Sequence, residues 1–238
     1  MIAGAGRCAK YTCLGVFCML LGACGGAPAE SKSPANQATP ASSPAPNAAS
    51  EAPAAGGPDK ERERLEAAGG VVKTNLTPAG KSDRYGRAEA IVHASIDDLR
   101  KAVLDFSNYK SLAPDKFKTA RMIAKEDGHV DVYFQVPVMK GLLTIWYVTR
   151  FPEHTQVLPN GAELLDGKFV KGSIDDMELA ISMRSVAPDE TILSIDLLIV
   201  PHLPAPRSAI DETLRDAAGD AVAALKKRVE PQGPGGEP

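Results

Sequence analysis

The sequence is poor in the residues that most often carry chemistry. It has only four cysteines in 238 residues, and all of them lie near the amino terminus, at Cys8, Cys13, Cys18 and Cys24. The rest of the chain therefore offers no disulfide, no thiol nucleophile and no cysteine metal site. The four histidines are scattered, and no two have the i, i+4 spacing of a helical metal site. The sequence thus predicts no metal, no cofactor and no catalytic residue.

Concentrated positive charge is also missing. The chain has 27 Lys and Arg residues against 30 Asp and Glu, which gives a formal net charge of −3. No basic stripe or long Lys/Arg run stands out, so the sequence lacks the electrostatic footprint of a nucleic-acid-binding protein. We therefore expect no nucleic-acid partner.

Bulky apolar residues are absent from Gly25 to Arg64, a segment in which Ala, Pro, Ser, Gly and Asn are prominent. Such a segment cannot bury enough apolar surface to offset the entropy that it would lose on ordering. Residues 24–60 are therefore predicted to form a disordered tether, which would span ~30–35 Å as a coil of ~36 residues. Residues 231–238, which are rich in Pro and Gly, are predicted to be a disordered tail.

The first 24 residues carry the clearest signal in the sequence. Arg7 and Lys10 give a positively charged start, and an apolar run follows from Tyr11 to Ala23. This run is shorter than the ~20 residues that a bilayer span needs, but it suits the core of a signal peptide. It ends in the sequence Leu-Gly-Ala-Cys at positions 21–24.

This ending resembles the lipobox of bacterial lipoproteins. The resemblance implies that residues 1–23 are a signal peptide, that cleavage occurs before Cys24, and that acyl chains on Cys24 anchor the protein to a membrane. The residue after the cysteine is Gly25 and not Asp, which in such lipoproteins favours export to the outer membrane. The resemblance therefore implies a location in the cell envelope, at the outer membrane and facing the periplasm. The alternatives are an ordinary secretory signal that happens to end near a cysteine and, less favoured, a cytoplasmic protein with an apolar amino terminus.

Residues 61–230 are enough for one compact domain, and hydrophobic alternation predicts several strands in it. Apolar residues recur with period two in Val130–Val136, Met177–Arg184 and Leu193–Ile199, with polar residues between them. One-sided strands of this kind indicate an antiparallel sheet with one wet face. Further strands are predicted at Val71–Leu76 (an edge strand), Ala88–His93 and Leu142–Arg150.

Helical patterns frame these strands. A short charged helix is predicted over Asp59–Ala68, and Ser95 has the character of an N-cap for a helix that runs to about Asp105. A second short helix is predicted over Asn108–Leu112. A long helix is predicted over Arg207–Val229, where apolar residues recur at helical spacing.

The order of these elements resembles the helix-grip fold of the START-like (SRPBCC) superfamily, which includes polyketide cyclases and coenzyme Q-binding proteins. Residues Ala88–Tyr109 are similar to the opening pattern of that family, a strand and then a helix that ends in Asp-Phe-x-x-Tyr. Leu112 takes the place of a tryptophan that many members have before a proline. The resemblance covers Gly86–Val229 and implies an α+β fold, in which a curved antiparallel sheet wraps around the long C-terminal helix.

In that fold a cavity lies between the sheet and the last helix. The resemblance therefore implies an apolar ligand such as a lipid, a quinone or another hydrophobic small molecule. The alternative is that the same side chains fill a solid core, because alternation alone does not distinguish a packed core from a lined pocket. The residues predicted to line the cavity are Val132, Phe134, Trp146, Met177, Leu179, Ile181, Met183, Leu193, Ile195, Leu197, Ile210 and Leu214.

Three functions remain open from the sequence. The favoured hypothesis is a membrane-anchored protein that binds or carries a hydrophobic small molecule in the cell envelope. The second is a cyclase- or hydrolase-like enzyme that uses the same cavity, and the third is an envelope interaction protein with a filled core. His202 and Arg207 are candidates to receive a ligand headgroup at a mouth gated by Pro201–Pro206, although a solvent-exposed loop bounded by prolines is the alternative.

Overall fold

A computed structural model of the chain describes residues 58–138, 143–202 and 206–230, which all belong to one compact unit. The predicted signal peptide, Cys24, nearly all of the tether and the tail lie outside the described residues. None of the described helices is long and apolar enough to cross a membrane.

The helices are α1 (Pro58–Ala68), α2 (Ile96–Leu104), α3 (Tyr109–Leu112) and α4 (Arg207–Val229), with a 3-10 turn (Phe106–Asn108) before α3. The strands are β1 (Val72–Leu76), β2 (Tyr85–Val92), β3 (Thr119–Glu126), β4 (His129–Val138), β5 (Leu143–Pro152), β6 (Gln156–Val157), β7 (Glu163–Gly172), β8 (Ile174–Ala187) and β9 (Glu190–Pro201).

These strands form a single curved antiparallel sheet. Its order is β1-β2-β9-β8-β7-β5-β4-β3, and the short β6 pairs with β7. Strand β2 pairs with β9 and so joins the first and last parts of the sheet. Helix α4 follows β9 and packs against β1, β2 and β9. The predicted α+β helix-grip fold is therefore confirmed.

We call the face of the sheet that carries α4 the inner face, and the opposite face the outer face. Gly86 on β2 shows how closely α4 approaches the inner face. A Cβ atom at this position would lie 2.1 Å from the backbone carbonyl carbon of Leu214 on α4. Glycine is therefore needed here because any side chain would push the helix backbone off the strand.

Most of the predicted elements are confirmed, with shifts of a few residues at their ends. Helix α2 has the predicted cap, because the Ser95 hydroxyl oxygen accepts a hydrogen bond from the backbone N–H of Asp98. Strands β3 and β7, and also the two-residue strand β6, were not predicted. Strand β3 lies at the sheet edge and exposes most of its side chains, while β7 is interrupted by Gly167, so neither shows a clear alternation.

The inner face carries the hydrophobic core, in which side chains of the sheet pack against α2 and α4. Part of this core is aromatic: the Phe106 ring centroid lies 5.1 Å from that of Phe151 and 5.5 Å from that of Tyr109. Gly167 makes room for this group, since a Cβ atom there would lie 2.5 Å from the ring of Phe151. These contacts fix the segment after α2 on the sheet.

The outer face was predicted to be wet, and over β2 and β9 this prediction is wrong. Helix α1 covers part of the face, where Leu65 packs against Ile91 and Ile192. Glu89 and Asp196 point to the same face and are only 6% and 7% exposed. Each is paired with an arginine, so the burial leaves neither carboxylate isolated in a region of low dielectric constant.

Candidate functional site

The structure brings most of the predicted lining residues together on the inner face. Direct cross-strand pairs place Ile181 opposite Ile195 and Met183 opposite Leu193. On α4, Leu214 is buried and Ile210 is half-buried. The predicted residues that lie on the inner face of the sheet are Val132, Phe134, Met177, Leu179, Ile181, Met183, Leu193, Ile195 and Leu197. That they contact a ligand stays a prediction.

Trp146 is the exception, and its predicted position inside the cavity is wrong. It pairs with Gln135 on β4, whereas its neighbour Tyr147 pairs with the core residue Phe134. Successive residues of a strand point to opposite faces, so Trp146 lies on the outer face. There it is 37% exposed and stacks on Tyr133, with 6.1 Å between the ring centroids. Because this strand has apolar residues on both faces, its sequence could not decide where the tryptophan points.

The inner face has a tightly packed part and a more open part. In the packed part, Met183 and Leu193 are fully buried and Ile181 is 4% exposed. In the more open part, apolar side chains of β7, β8 and β9 pack against the core but remain only half-buried. We call this set the open apolar patch, and its members are Phe169, Leu179, Leu197 and Ile199.

The members of the open apolar patch are neighbours in the sheet. Leu179 pairs directly with Leu197, and two residues further along the same strands Met177 pairs with Ile199. Phe169 comes from the adjacent strand β7. Phe169 and Ile199 were not among the predicted lining residues. Phe169 was missed because β7, which shows no clear alternation, was not recognised as a strand.

Two buried tyrosines are polar groups of the inner face. The Tyr109 hydroxyl donates a hydrogen bond to the backbone carbonyl of Val103, at 2.5 Å. The Tyr147 ring packs against that of Phe134, with 5.4 Å between the centroids. Burial raises the pKa of both tyrosines. Their hydroxyls therefore stay protonated at neutral pH, and neither serves as a general base.

One carboxylate, Glu163, lies at the edge of the inner face, opposite the core residue Met183. Arg100 of α2 donates to it, with Nε 2.5 Å from Oε2, and the Thr155 hydroxyl donates at 2.7 Å. The hydrogen bond from Arg100 holds the pKa of Glu163 below its ordinary value. The charged pair therefore ties α2 to the sheet.

A cleft of about 210 Å³, the end cleft, opens beside the core where α2 meets the turns of the sheet. Leu104, Phe106, Met122 and Val130 give it apolar walls, and polar side chains such as that of His154 complete its lining. Phe106 and Val130 are also members of the core. The apolar interior therefore reaches the surface at this point as well.

A smaller cleft of about 130 Å³, the outer cleft, lies on the outer face and is bordered by α1 and the turn before β7. Its lining includes the pair of Arg87 and Asp196, which are joined by two hydrogen bonds of 2.6 and 2.5 Å. Ser182 and Ser194 also line it. Among the described residues, the Nε atom of Arg184 is buried without a hydrogen-bond partner. The outer cleft is therefore polar, in contrast to the open apolar patch.

Lys81, Tyr85 and Glu178 form a closed cluster on the outer face. The Lys81 ammonium lies 2.6 Å from Glu178, to which the Tyr85 hydroxyl also donates at 2.7 Å. Burial raises the pKa of Tyr85 to about 12. Burial also disfavours the charged form of Glu178, but the hydrogen bonds from Lys81 and Tyr85 outweigh it and lower its pKa. The cluster thus joins the loop before β2 to β8 and leaves no group ready for proton transfer near neutral pH.

The two residues predicted to receive a headgroup are both exposed. His202 Nδ1 lies 2.8 Å from Asp175 Oδ1, and Arg207 is the first residue of α4. Residues 203–205 lie outside the described residues. The predicted gate over Pro201–Pro206 therefore stays a prediction.

Solved structures share this architecture. A fragment of the STAR-related lipid transfer protein of Xanthomonas axonopodis aligns with a TM-score of 0.57, over 67% of this chain and 93% of that chain, at 16% identity. The lipid transfer and protein localization domain of human StarD13 aligns with a TM-score of 0.53, over 73% of this chain and 96% of that chain, at 15% identity. A START superfamily protein of Mycobacterium smegmatis aligns with a TM-score of 0.51, over 60% of this chain and 94% of that chain, at 20% identity. No protein-family model and no curated protein matches the sequence.

At these identities the likeness concerns the fold. In all three alignments nearly the whole of the other chain is covered, so the likeness extends to complete domains and is not limited to a shared motif. The described residues therefore have the helix-grip fold that these START domains share.

Proposed function

We propose that the protein binds a hydrophobic small molecule, such as a lipid or a quinone, at the open apolar patch beside α4. The observation that carries this proposal is the partial exposure of Leu179, Leu197 and Ile199, which lie side by side next to a closely packed core. Complete burial of a side chain of this size contributes ~1.5–3 kcal/mol, so the patch favours an apolar occupant. The lipid-transfer names of two of the structural neighbours support the same class of ligand.

Binding at this patch would be passive. An apolar ligand that leaves a bilayer for the patch exchanges one apolar environment for another, so the net change in free energy is small. Movement of α4, or of residues 201–206 before it, would admit the ligand. Exchange with a membrane then needs no energy source, which suits a carrier.

The buried carboxylates favour a binding protein over an enzyme. A general acid or base has to face the ligand with a pKa near the working pH. Among the described residues, every carboxylate that is less than a tenth exposed forms an ion pair with an arginine. The pairs are Glu89 with Arg64, Glu163 with Arg100, and Asp196 with Arg87.

We further propose that acyl chains on Cys24 hold the protein at the outer membrane, facing the periplasm. The lipobox-like sequence before Cys24 supports this proposal. Each methylene buried in the bilayer contributes ~0.8 kcal/mol, so two or three chains anchor a protein firmly. Cys24→Ala should therefore move the protein from the membrane fraction to the soluble fraction. Its retention in the membrane fraction would contradict the anchor.

Native mass spectrometry with lipid extraction tests the binding function. The sample is the polypeptide from Pro46 to Pro238, which contains the whole compact unit with its own sheet and core. Incubation with an extract of envelope lipids should give a bound mass at one ligand per protein and so identify the ligand class. A mass that stays that of the free protein would reject the carrier and favour an envelope interaction protein.

A pair of matched variants locates the ligand. Leu179→Gln places an amide in the open apolar patch, and we expect it to weaken binding at least tenfold, because the amide loses hydrogen bonds to water when the ligand covers it. Val157→Gln makes the same change at an exposed position on β6 and should bind as the unchanged protein does. Equal binding by the two variants would place the ligand outside the open apolar patch, with the end cleft as the alternative site.

A further inference from the structure

The outer face of β3, β4, β5 and β7 carries a row of side chains that the binding function does not use. Direct cross-strand pairs align Arg121, Tyr133, Val148 and Lys171 on these four strands. Trp146 lies beside this row and stacks on Tyr133 with an interplanar angle of 27°. Val148 is only 1% exposed, so we call the other four residues, Arg121, Tyr133, Trp146 and Lys171, the aromatic–basic row.

The aromatic rings of this row are accessible, and a cation lies over one of them. Trp146 is more than one-third exposed, and the Arg121 guanidinium carbon lies 5.7 Å from the centroid of Tyr133. Val170, on β7 next to Lys171, is also exposed, at 39%. Large apolar and aromatic side chains therefore face solvent together with positive charge.

Among the described residues, the two positive charges of the row form no ion pair, although Lys171 lies near enough to Asp131 to help Arg150 lower the pKa of that carboxyl. Asp131 and Asp166, on the same face, are already paired with Arg150 and Lys168. Within the described part of the chain, Arg121 and Lys171 have no ion-pair partner. The row thus keeps two positive charges beside its exposed rings.

This combination points to one class of partner. Tryptophan and tyrosine favour the boundary between water and lipid, where the ring meets acyl chains and its polar atom meets headgroups. Lysine and arginine near such rings attract anionic headgroups, at ~1 kcal/mol per basic residue. We propose that the aromatic–basic row docks the domain on the surface of an anionic bilayer. This contact would be separate from the acyl anchor and would place the domain flat on the membrane.

The position of α1 agrees with this orientation. Helix α1 packs on the outer face through Leu65, and the chain that leads from Cys24 joins the domain at this helix. Helix α1, which follows the predicted tether in the sequence, and the aromatic–basic row therefore lie on the same face of the sheet.

The sequence supplies its own probe, because Trp146 is the only tryptophan. The polypeptide from Pro46 to Pro238 is mixed with vesicles of phosphatidylcholine, with or without phosphatidylglycerol. With phosphatidylglycerol, we expect a blue shift of the Trp146 emission, quenching by lipids brominated in the acyl chain, and reversal by high salt. An unchanged emission spectrum, or protein that sediments with vesicles without any shift, would overturn the proposal.

Matched variants separate the row from the general charge of the protein. Arg121→Gln should weaken binding to phosphatidylglycerol vesicles about fivefold, which corresponds to ~1 kcal/mol per basic residue. Lys101→Gln removes an exposed charge on α2 and should leave vesicle binding unchanged. Equal losses in the two variants would show that the row has no special role.

Two further outcomes decide the class of partner and the relation to ligand binding. Leu179→Gln should bind vesicles normally, because docking does not need the open apolar patch; loss of vesicle binding in this variant would mean that lipid uptake, and not docking, causes the association. A shift of the Trp146 emission that appears with an envelope protein fraction and not with vesicles would show that the partner of the row is a protein and not a bilayer.

Discussion

The two faces of the sheet differ in the side chains that they bury, because the inner face buries mainly apolar groups and the outer face buries paired charges as well; strand β8 shows both. Ile181 is 4% exposed in an apolar core, while the next residue, Ser182, lies beside paired charges in the outer cleft. On the inner face, burial removes apolar surface from water and stabilises the fold by ~25 cal/mol per Å². On the outer face, burial removes charges from water, which costs free energy unless each charge meets a partner.

This difference decides what each face can tolerate. The inner face can accept an apolar ligand because its contacts are non-directional, whereas an added charge finds no partner there. The outer face accepts polar groups, but each of its buried charges needs an oppositely charged partner.

The outer face also has two similar ion pairs that differ in exposure. Arg87 with Asp196 and Arg150 with Asp131 are both cross-strand pairs with two hydrogen bonds. The first arginine side chain is 17% exposed and the second 51%.

The largest predicted effect comes from the same charge placed on the two sides of β8. Ile181→Asp puts a carboxylate into the apolar core, at a cost of several kcal/mol, comparable with the ~5–15 kcal/mol that stabilises a whole domain. We expect this variant not to fold. Ser182→Asp should fold, because the outer cleft already holds paired charges and the Nε atom of Arg184 there has no hydrogen-bond partner among the described residues. Circular dichroism and thermal unfolding of the two variants check this, and a folded Ile181→Asp protein would show that the inner face is not a closed core at that point.

The next effect compares the two Arg–Asp pairs of the outer face. Asp196→Ala leaves the half-buried Arg87 without its partner and should lower the free energy of unfolding by ~3 kcal/mol. Asp131→Ala breaks the exposed pair and should cost no more than ~1 kcal/mol. Urea unfolding measures both. The double replacement Arg87→Met with Asp196→Leu should recover most of the loss; if it is as unstable as Asp196→Ala, the penalty does not come from an unpaired charge.

A pH-dependent effect tests the one carboxylate at the edge of the inner face. Arg100 lowers the pKa of Glu163 in the folded state, so the stability that Glu163 contributes is complete above its unfolded pKa and is lost as the pH falls through its folded pKa. Glu163→Gln should therefore be less stable than the unchanged protein at neutral pH, and the difference should shrink at acidic pH. Unfolding at a series of pH values measures this. The exposed Glu66→Gln serves as control, and a constant difference across the series would contradict the role of the charge.

The smallest effect depends on neither face. Ser95→Ala removes the side-chain cap of α2 and should cost ~1 kcal/mol, whereas Ser107→Ala, at an exposed position without a capping bond, should be close to neutral. Urea midpoints of the two variants give the comparison. Equal midpoints would mean that the packing of α2 alone fixes its first turn.

Local patterns in the sequence were enough to predict much of the architecture. Period-two alternation identified β4, β8 and β9, helical spacing identified α4, and the N-cap residue placed the start of α2. These features are local because side-chain direction in a strand or helix follows from backbone geometry within a few residues. The lipobox-like sequence before Cys24 is likewise local, and the anchor that it predicts awaits the fractionation test.

Only the tertiary structure decided the rest. Strand β7 shows no clear alternation, in part because one of its inner-face positions is Gly167. A glycine is needed there because the ring of Phe151, from another strand, occupies the space that a side chain would fill. Trp146 lies on the outer face because of its register with β4, which its own strand could not reveal. The burial of Asp196 depends on what covers the outer face. In each case residues that are distant in the sequence determine the environment of the residue. Local sequence therefore predicts that a residue lies in a strand, but it does not predict which residues cover it.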